Sequence, residues 1–136
     1  MEHTDRLLVA VIDDDNAVRT SVGFLLASSG WRTAIYPGSR TFMEALAGGA
    51  RPGHVMLLDL HMPDMNGVEL LLAVRRLGIR VPAVVLSADP QGELARRALL
   101  AGAHTVLGKP FDSELLLRTL AQASGRLPRT GGTGNP

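Results

Sequence analysis

The sequence has no cysteine in 136 residues, which excludes disulfide staples, thiolate nucleophiles and cysteine-ligated metals. It also lacks an excess charge of either sign. Fourteen Lys+Arg stand against 13 Asp+Glu for a formal net charge of +1, leaving no bulk electrostatic reason to bind nucleic acid or an anionic membrane. No apolar run approaches the ~20 residues of a membrane helix. The start, Met1-Glu2-His3-Thr4-Asp5-Arg6, leads into a short apolar stretch without a cleavage pattern, so the expected location is cytoplasmic. Lysine is nearly missing: Lys109 is the single one, and the other thirteen basic residues are arginine. One position thus asks for a compact point charge where arginine serves elsewhere. What is present, 46% hydrophobic and 20% charged residues, suffices for the core of one domain.

The hydrophobic pattern alternates short apolar runs with segments of helical period. Strands are expected over residues 7–12, 33–36, 55–58, 83–86 and 105–107. Helices are expected over 16–29, from a Ser39 cap to about 47, over 68–77, from an Asp89-Pro90 cap to 101, and over 112–123. Val18, Val22, Leu25 and Leu26 share one face of the first helix. Leu70, Val74 and Leu77 do so in the third, and Leu116, Leu120 and Ala123 in the last. Gly30 and Gly102 stand where helices stop. Continuous apolar strands alternating with helices specify a doubly wound α/β fold, a five-stranded parallel sheet covered on both faces. Residues 1–124 form the expected domain, and 125–136, rich in Gly and Pro, an expected flexible tail or truncated linker. That tail carries Leu127-Pro128-Arg129-Thr130-Gly131, a sortase-like pattern without the anchor that sorting requires.

In such sheets ligands gather at the carboxyl ends of the strands. The first strand ends in Asp13-Asp14-Asp15, the third in Asp59, the fourth in Ser87-Ala88 and the fifth in Lys109-Pro110. Clustered carboxylates repel unless a cation or proton intervenes. Hard oxygen donors in a small open site suit Mg²⁺. A carboxylate can serve as a nucleophile toward phosphorus, with a lysine and a hydroxyl holding phosphoryl oxygens. The inventory points to metal-assisted phosphoryl transfer onto an aspartate. Asp15 reads as a helix cap, and His3, His54 and His104 show no ligand spacing.

The motifs Val11-Ile12-Asp13-Asp14-Asp15, Leu58-Asp59-Leu60-His61-Met62-Pro63-Asp64-Met65-Asn66-Gly67, Val85-Leu86-Ser87-Ala88, Ala101-Gly102-Ala103 and Gly108-Lys109-Pro110-Phe111 resemble the receiver domain of two-component response regulators. The resemblance covers about residues 7 to 124 and is greatest to the FixJ branch. It implies a flavodoxin-like (βα)5 receiver fold. It implies Asp59 as phospho-acceptor, Asp14 as direct Mg²⁺ ligand, Asp13 as the acid orienting metal-bound water, and the backbone carbonyl of His61 as a further ligand. It implies Ser87, with Ala88, as the switch hydroxyl and phosphoryl-binding turn, and Lys109 as the phosphate-pairing lysine ahead of a cis Lys109-Pro110 bond. The side chains of His61 and Asp89 would line access to the phosphoryl group.

The implied partners are a sensor histidine kinase or a histidine phosphotransfer protein, then a downstream protein or a second copy. These would meet a face built from the fourth helix, fifth strand and fifth helix, which carries Arg96, Arg97 and Arg118. Neither nucleic acid nor membrane is an expected partner of this chain alone. One departure stands out: Val106 occupies a position where the family usually has an aromatic ring. Alternatives are a phosphorylation-independent binding module, or a receiver cut from a longer DNA-binding regulator. A haloacid-dehalogenase-like phosphatase would need an acid where His61 stands, and a flavin site would need hydroxyls where three acids stand. The expected protein is a signalling switch rather than an enzyme acting on other molecules.

Overall fold

A computed structural model of the protein describes residues 6–125. Ten elements alternate along the chain: β1 (Leu8–Ile12), α1 (Asn16–Ser28), β2 (Arg32–Tyr36), α2 (Ser39–Ala47), β3 (Val55–Asp59), α3 (Gly67–Arg76), β4 (Ala83–Ser87), α4 (Glu93–Leu100), β5 (Thr105–Gly108) and α5 (Ser113–Ala123). The strands form one parallel sheet in the order β2-β1-β3-β4-β5. The chain reverses its winding between β1 and β3, and a crevice opens there at the carboxyl ends of the strands. Among the described residues, no helix is long and apolar enough to cross a membrane. The sortase-like pattern lies outside the described residues.

Strand alternation divides the core in two. Val9, Val11, Leu57, Val84 and Leu86 join Val22 and Leu26 of α1 and Leu116 and Leu120 of α5. Ala10, Ile12, Met56, Leu58 and Val85 point the other way, toward Phe42 of α2, Leu70 and Val74 of α3 and Ala98 of α4. A period of two thus gives every central strand two buried faces. Gly30 and Gly102 take positive φ, 81° and 103°, as the expected helix stops.

Three local expectations are corrected. Asp89 caps no helix. Its N–H is taken by Ser87 Oγ at 2.9 Å, and the Gly92 N–H bonds back to the Asp89 carbonyl at 3.1 Å. Residues 88–92 therefore form a turn, and α4 begins only at Glu93 behind a Gly92 N-cap. Ser39 is the first residue of α2 rather than its cap; its hydroxyl donates to the Met65 carbonyl at 2.7 Å. Leu77 follows α3 with 56% of its surface exposed, since the helix has ended and its periodicity no longer holds.

Gly67 opens α3 behind an Asn66–Glu69 capping box. A Cβ there would sit 2.9 Å from the Asp59 carbonyl oxygen and 3.0 Å from the Leu60 Cα. Those are backbone atoms and cannot yield without moving the end of β3. The Gly67→Ala variant is expected to lose about 1–3 kcal/mol, whereas Gly48→Ala, with only 3.6 Å contacts, should change by less than about 0.5 kcal/mol. Urea midpoints of the two variants check this.

Candidate functional site

β1 and β3 are neighbours in the sheet, with Ile12 opposite Leu58. The next residues, Asp13 and Asp59, are therefore carried side by side off buried apolar strands and are only 2% and 4% exposed. Asp14, one residue on, is exposed. Carboxylate oxygens of Asp13, Asp14 and Asp59 all lie within 4.8 Å of one another. β5 delivers Lys109 to the same place. Its Nζ lies 3.1 Å from Asp59 Oδ1, where it donates a hydrogen bond, and 3.2 Å from Asp13 Oδ2. The Lys109-Pro110 peptide is cis, as the resemblance implies.

The remaining contacts orient these groups. Asp13 Oδ1 accepts the Asp15 N–H at 2.9 Å. Asp59 Oδ1 accepts the His61 N–H at 3.3 Å. The Asp15 side chain accepts from the N–H groups of Ala17 and Val18 and caps α1, as expected. Ser87, fully buried, follows Leu86, which pairs with Asp59 in the sheet; the Ser87 carbonyl accepts the Lys109 N–H at 2.8 Å. The hydrogen on Ser87 Oγ stays available for donation, because the bond to the Asp89 N–H uses the oxygen as acceptor. Ala88 and Asp89 are exposed on the turn that follows, and the His61 side chain is exposed on the β3–α3 loop.

Electrostatics set the ionisation of the pair. Burial, then the Asp13 charge, raise Asp59 from 3.8 to about 6, against the opposing pull of Lys109. Burial works against the Lys109 charge too, but Asp13 and Asp59 outweigh it and hold the ammonium above its ordinary range. One ammonium thus faces three carboxylates. Asp13 Oδ2 is buried and, among the described residues, accepts no directed hydrogen bond, although Lys109 stands 3.2 Å away. A buried oxygen with unfilled lone pairs, beside two more carboxylates, fits a hard divalent cation such as Mg²⁺.

The geometry brings Asp13, Asp14, Asp59 and Lys109 together, with the His61 backbone and Ser87 at the rim. Val106 does not join them; it pairs with Val85 and packs on the core shared by α2, α3 and α4. His54 has a structural role, its Nδ1 accepting the Leu8 N–H at 2.9 Å. Sequence reasoning missed Arg19, whose Nη1 donates to the Asp13 carbonyl at 3.0 Å and whose Nη2 donates to Asn16 Oδ1 at 3.3 Å. Its place four residues after the Asp15 cap was the available signal.

A family model for the response regulator receiver domain matches residues 9–121. The chain is 34% identical over 119 residues to the transcriptional regulatory protein FixJ of Rhizobium meliloti (strain 1021), covering 88% of this chain and 57% of that protein. It is 38% identical over 120 residues to the sensory/regulatory protein RpfC of Xanthomonas campestris pv. campestris, covering 85% of this chain and 16% of that one. Among solved structures, the crystal structure of FixJ-N superposes with a TM-score of 0.81 at 32% identity, covering 91% of this chain and 98% of the other. The chemotaxis protein CheY4 of Vibrio cholerae gives 0.79 at 30%, covering 87% and 98%. The chain spans a little over half the length of the FixJ relative.

The raised Asp59 pKa has a thermodynamic consequence. Between the unfolded value near 3.8 and the folded value of about 6, the folded state binds more protons than the unfolded state. The Asp59 contribution to wild-type stability therefore falls as pH rises through that window and levels off above it. In metal-free buffer, Asp59→Asn is expected to gain about 1–2 kcal/mol relative to wild type on going from pH 4 to pH 7.5. That is less than the full linkage value, because solvent reaches the pocket past Asp14. Urea midpoints of both proteins across this range, with EDTA present, measure it; a difference that does not change with pH would contradict the assignment.

Proposed function

The chain belongs to the response regulator receiver domain family, whose general function is phosphoryl acceptance, and from that premise we propose that Asp59 is the acceptor and the strand-end pocket its reaction site. The observation that carries this is the position of Asp59. It is buried beside Asp13 and Asp14, with the Lys109 ammonium 3.1 Å from it and 3.2 Å from Asp13.

In this reading Asp13, Asp14, Asp59 and the His61 carbonyl hold Mg²⁺. When bound, the ion supplies the positive charge that the three carboxylates lack and that incoming phosphoryl oxygens require. Asp59 reacts as its carboxylate, the dominant form above pH 6 given its pKa of about 6. One carboxylate oxygen attacks phosphorus in line. An O–P bond forms as the P–N bond to a phosphohistidine donor breaks, and the electron pair leaves with the imidazole. Lys109 neutralises oxygen charge that develops on the phosphoryl group, and Ser87 donates its free hydroxyl hydrogen. Later hydrolysis restores Asp59, so the protein turns over only its own phosphoryl group. His61 and Asp89, exposed at the rim, control how water reaches it.

The donor is a sensor histidine kinase or a histidine phosphotransfer protein. The output is a shift in affinity for a downstream protein, or for a second copy, at the face of α4, β5 and α5. Exposed Leu99, Leu100 and Leu115 support such a surface. The basic contribution there is smaller than the sequence implies, because Arg96 is paired with Glu93 at 2.9 Å, which leaves Arg97 and Arg118. The similarity to a transcriptional regulatory protein that is longer than this chain supports a role as the regulatory part of such a protein.

Incubation with Mg²⁺ and acetyl phosphate, followed by intact mass, tests the reading. Wild type is expected to gain one phosphoryl group. Asp59→Asn should gain none, wild type in EDTA should gain none, and Asp14→Asn should need about tenfold or more additional Mg²⁺. An equal gain in Asp59→Asn would overturn the acceptor assignment. No gain in any sample would assign the chain to phosphorylation-independent binding.

A further inference from the structure

The β3–α3 loop, residues 60–66, carries the His61 backbone that faces the pocket. Sequence motifs account for its two ends. Leu60 continues the sheet through its N–H to the Leu86 carbonyl at 2.9 Å, and Gly67 closes the loop through its N–H to the Leu60 carbonyl at 2.9 Å. The middle of the loop is held by a different element, the N-terminus of α2. Asp64 Oδ2 accepts the Arg40 N–H at 2.9 Å, while Asp64 Oδ1 accepts the Met65 N–H at 2.9 Å. Beside it, the buried Ser39 hydroxyl donates to the Met65 carbonyl at 2.7 Å.

The helix is built to need this partner. Its N-cap is Gly38, which offers no side-chain acceptor, and its first turn contains no acid. The first N–H groups of a helix require acceptors, and the dipole favours an anion there. Asp64 supplies both from 24 residues away. Gly38 leaves the space, since a Cβ on it would lie 3.4 Å from Asp64 Oδ2. The Arg40 N–H, foremost among its partners, holds the Asp64 carboxyl below its ordinary range, so it is anionic at neutral pH.

We infer that Asp64 is a positioning residue for the metal pocket: by docking on the N-terminus of α2 it fixes the loop whose His61 N–H bonds Asp59 and whose His61 carbonyl the metal reading takes as a ligand. The inference rests on the metal-binding reading above and extends it to a residue that touches neither metal nor phosphoryl group. A purely structural role would make Asp64 a borrowed helix cap, affecting stability alone. A positioning role makes Mg²⁺ affinity depend on the tie between loop and helix.

Two variants separate these roles. Asp64→Ala removes both the cap and the tie. Gly38→Ser added to Asp64→Ala restores a cap at the N-cap of α2 itself, at a residue whose φ of −178° is extended and open to any side chain, but does not restore the Asp64 tie, leaving the loop only the Ser39–Met65 bond. Mg²⁺ affinity is read by calorimetry and stability by urea midpoint, with Asp14→Asn as reference. Asp64→Ala is expected to bind Mg²⁺ about tenfold more weakly and to unfold at lower urea. The double variant should regain the urea midpoint but not the affinity. Wild-type Mg²⁺ affinity in Asp64→Ala, or affinity regained in the double variant, would overturn the inference while leaving the metal reading intact. Failure of wild type to bind Mg²⁺, or an unchanged affinity in Asp14→Asn, would overturn the metal reading and the inference with it.

Discussion

The structure turns on one ammonium placed between two buried carboxylates. Lys109 Nζ lies 3.1 Å from Asp59 and 3.2 Å from Asp13, and among the described residues no other cation pairs with either carboxylate, Arg19 reaching only the Asp13 backbone carbonyl. Two carboxylates carried off adjacent strands would repel at short range in a poorly solvated site. The lysine opposes that repulsion, yet burial first and the Asp13 charge second still raise Asp59 to about 6. The sheet order makes this demanding. β5 is two strands away from β3 and three from β1, with strands spaced by ~4.8 Å. Lys109 stands just past the end of β5, so the backbone beyond the strand and the long side chain together bring the compact charge between two acceptors. A planar guanidinium has a different geometric demand, which accounts for the single lysine in a chain that otherwise uses arginine.

That charge arrangement depends on the two cores beneath it. Each central strand is buried on both faces, so its backbone has little freedom and its last residue is delivered to a fixed point. The acids then stand in a place where burial is costly unless every lone pair finds a partner. Backbone groups meet part of that need: the Asp15 N–H on Asp13 and the His61 N–H on Asp59. Asp13 Oδ2 is left without a directed bond. Stability is thus given up at the strand ends to keep a pocket that attracts a cation, and the apolar strands below supply the stability that allows it.

Most of this architecture was legible in the sequence because its signals are local. Apolar runs of four to six residues marked β1, β3 and β4, helical periodicity marked α1 and α5, and Gly30 and Gly102 marked two helix stops at positive φ. The site was legible because the topology sends every strand end to one edge, so Asp13, Asp59 and Lys109 had to converge. What escaped was decided in one place by a competing local turn and in another by a contact distant in sequence. Asp89-Pro90 looks like a helix start, but Ser87 takes the Asp89 N–H and makes a turn instead. Ser39 looks like a cap, but its hydroxyl is used by Met65, 26 residues on. The Asn66–Glu69 capping box was readable by spacing alone and was not used.

The same distinction separates the rigid parts of the site from its movable ones. Asp59 and Ser87 stand on strands locked by ladders on both sides, and Asp13 directly follows another. The 88–92 turn is instead held by discrete bonds, Ser87 to Asp89 and Gly92 to Asp89, and the outer part of the 60–66 loop by Asp64 to Arg40 and Ser39 to Met65, while Leu60 and Met62 of that loop are buried in the core. Segments secured this way open at lower free energy than packed cores. A local charge change at Asp59 therefore has two segments to act on and a sheet that does not yield. Val106 of β5 pairs with Val85 and packs against the core that faces α2, α3 and α4. In this chain the 88–92 turn, hydrogen-bonded to Ser87 at one end and leading into α4 at the other, is the continuous covalent and hydrogen-bonded route from the pocket to the exposed leucines of α4.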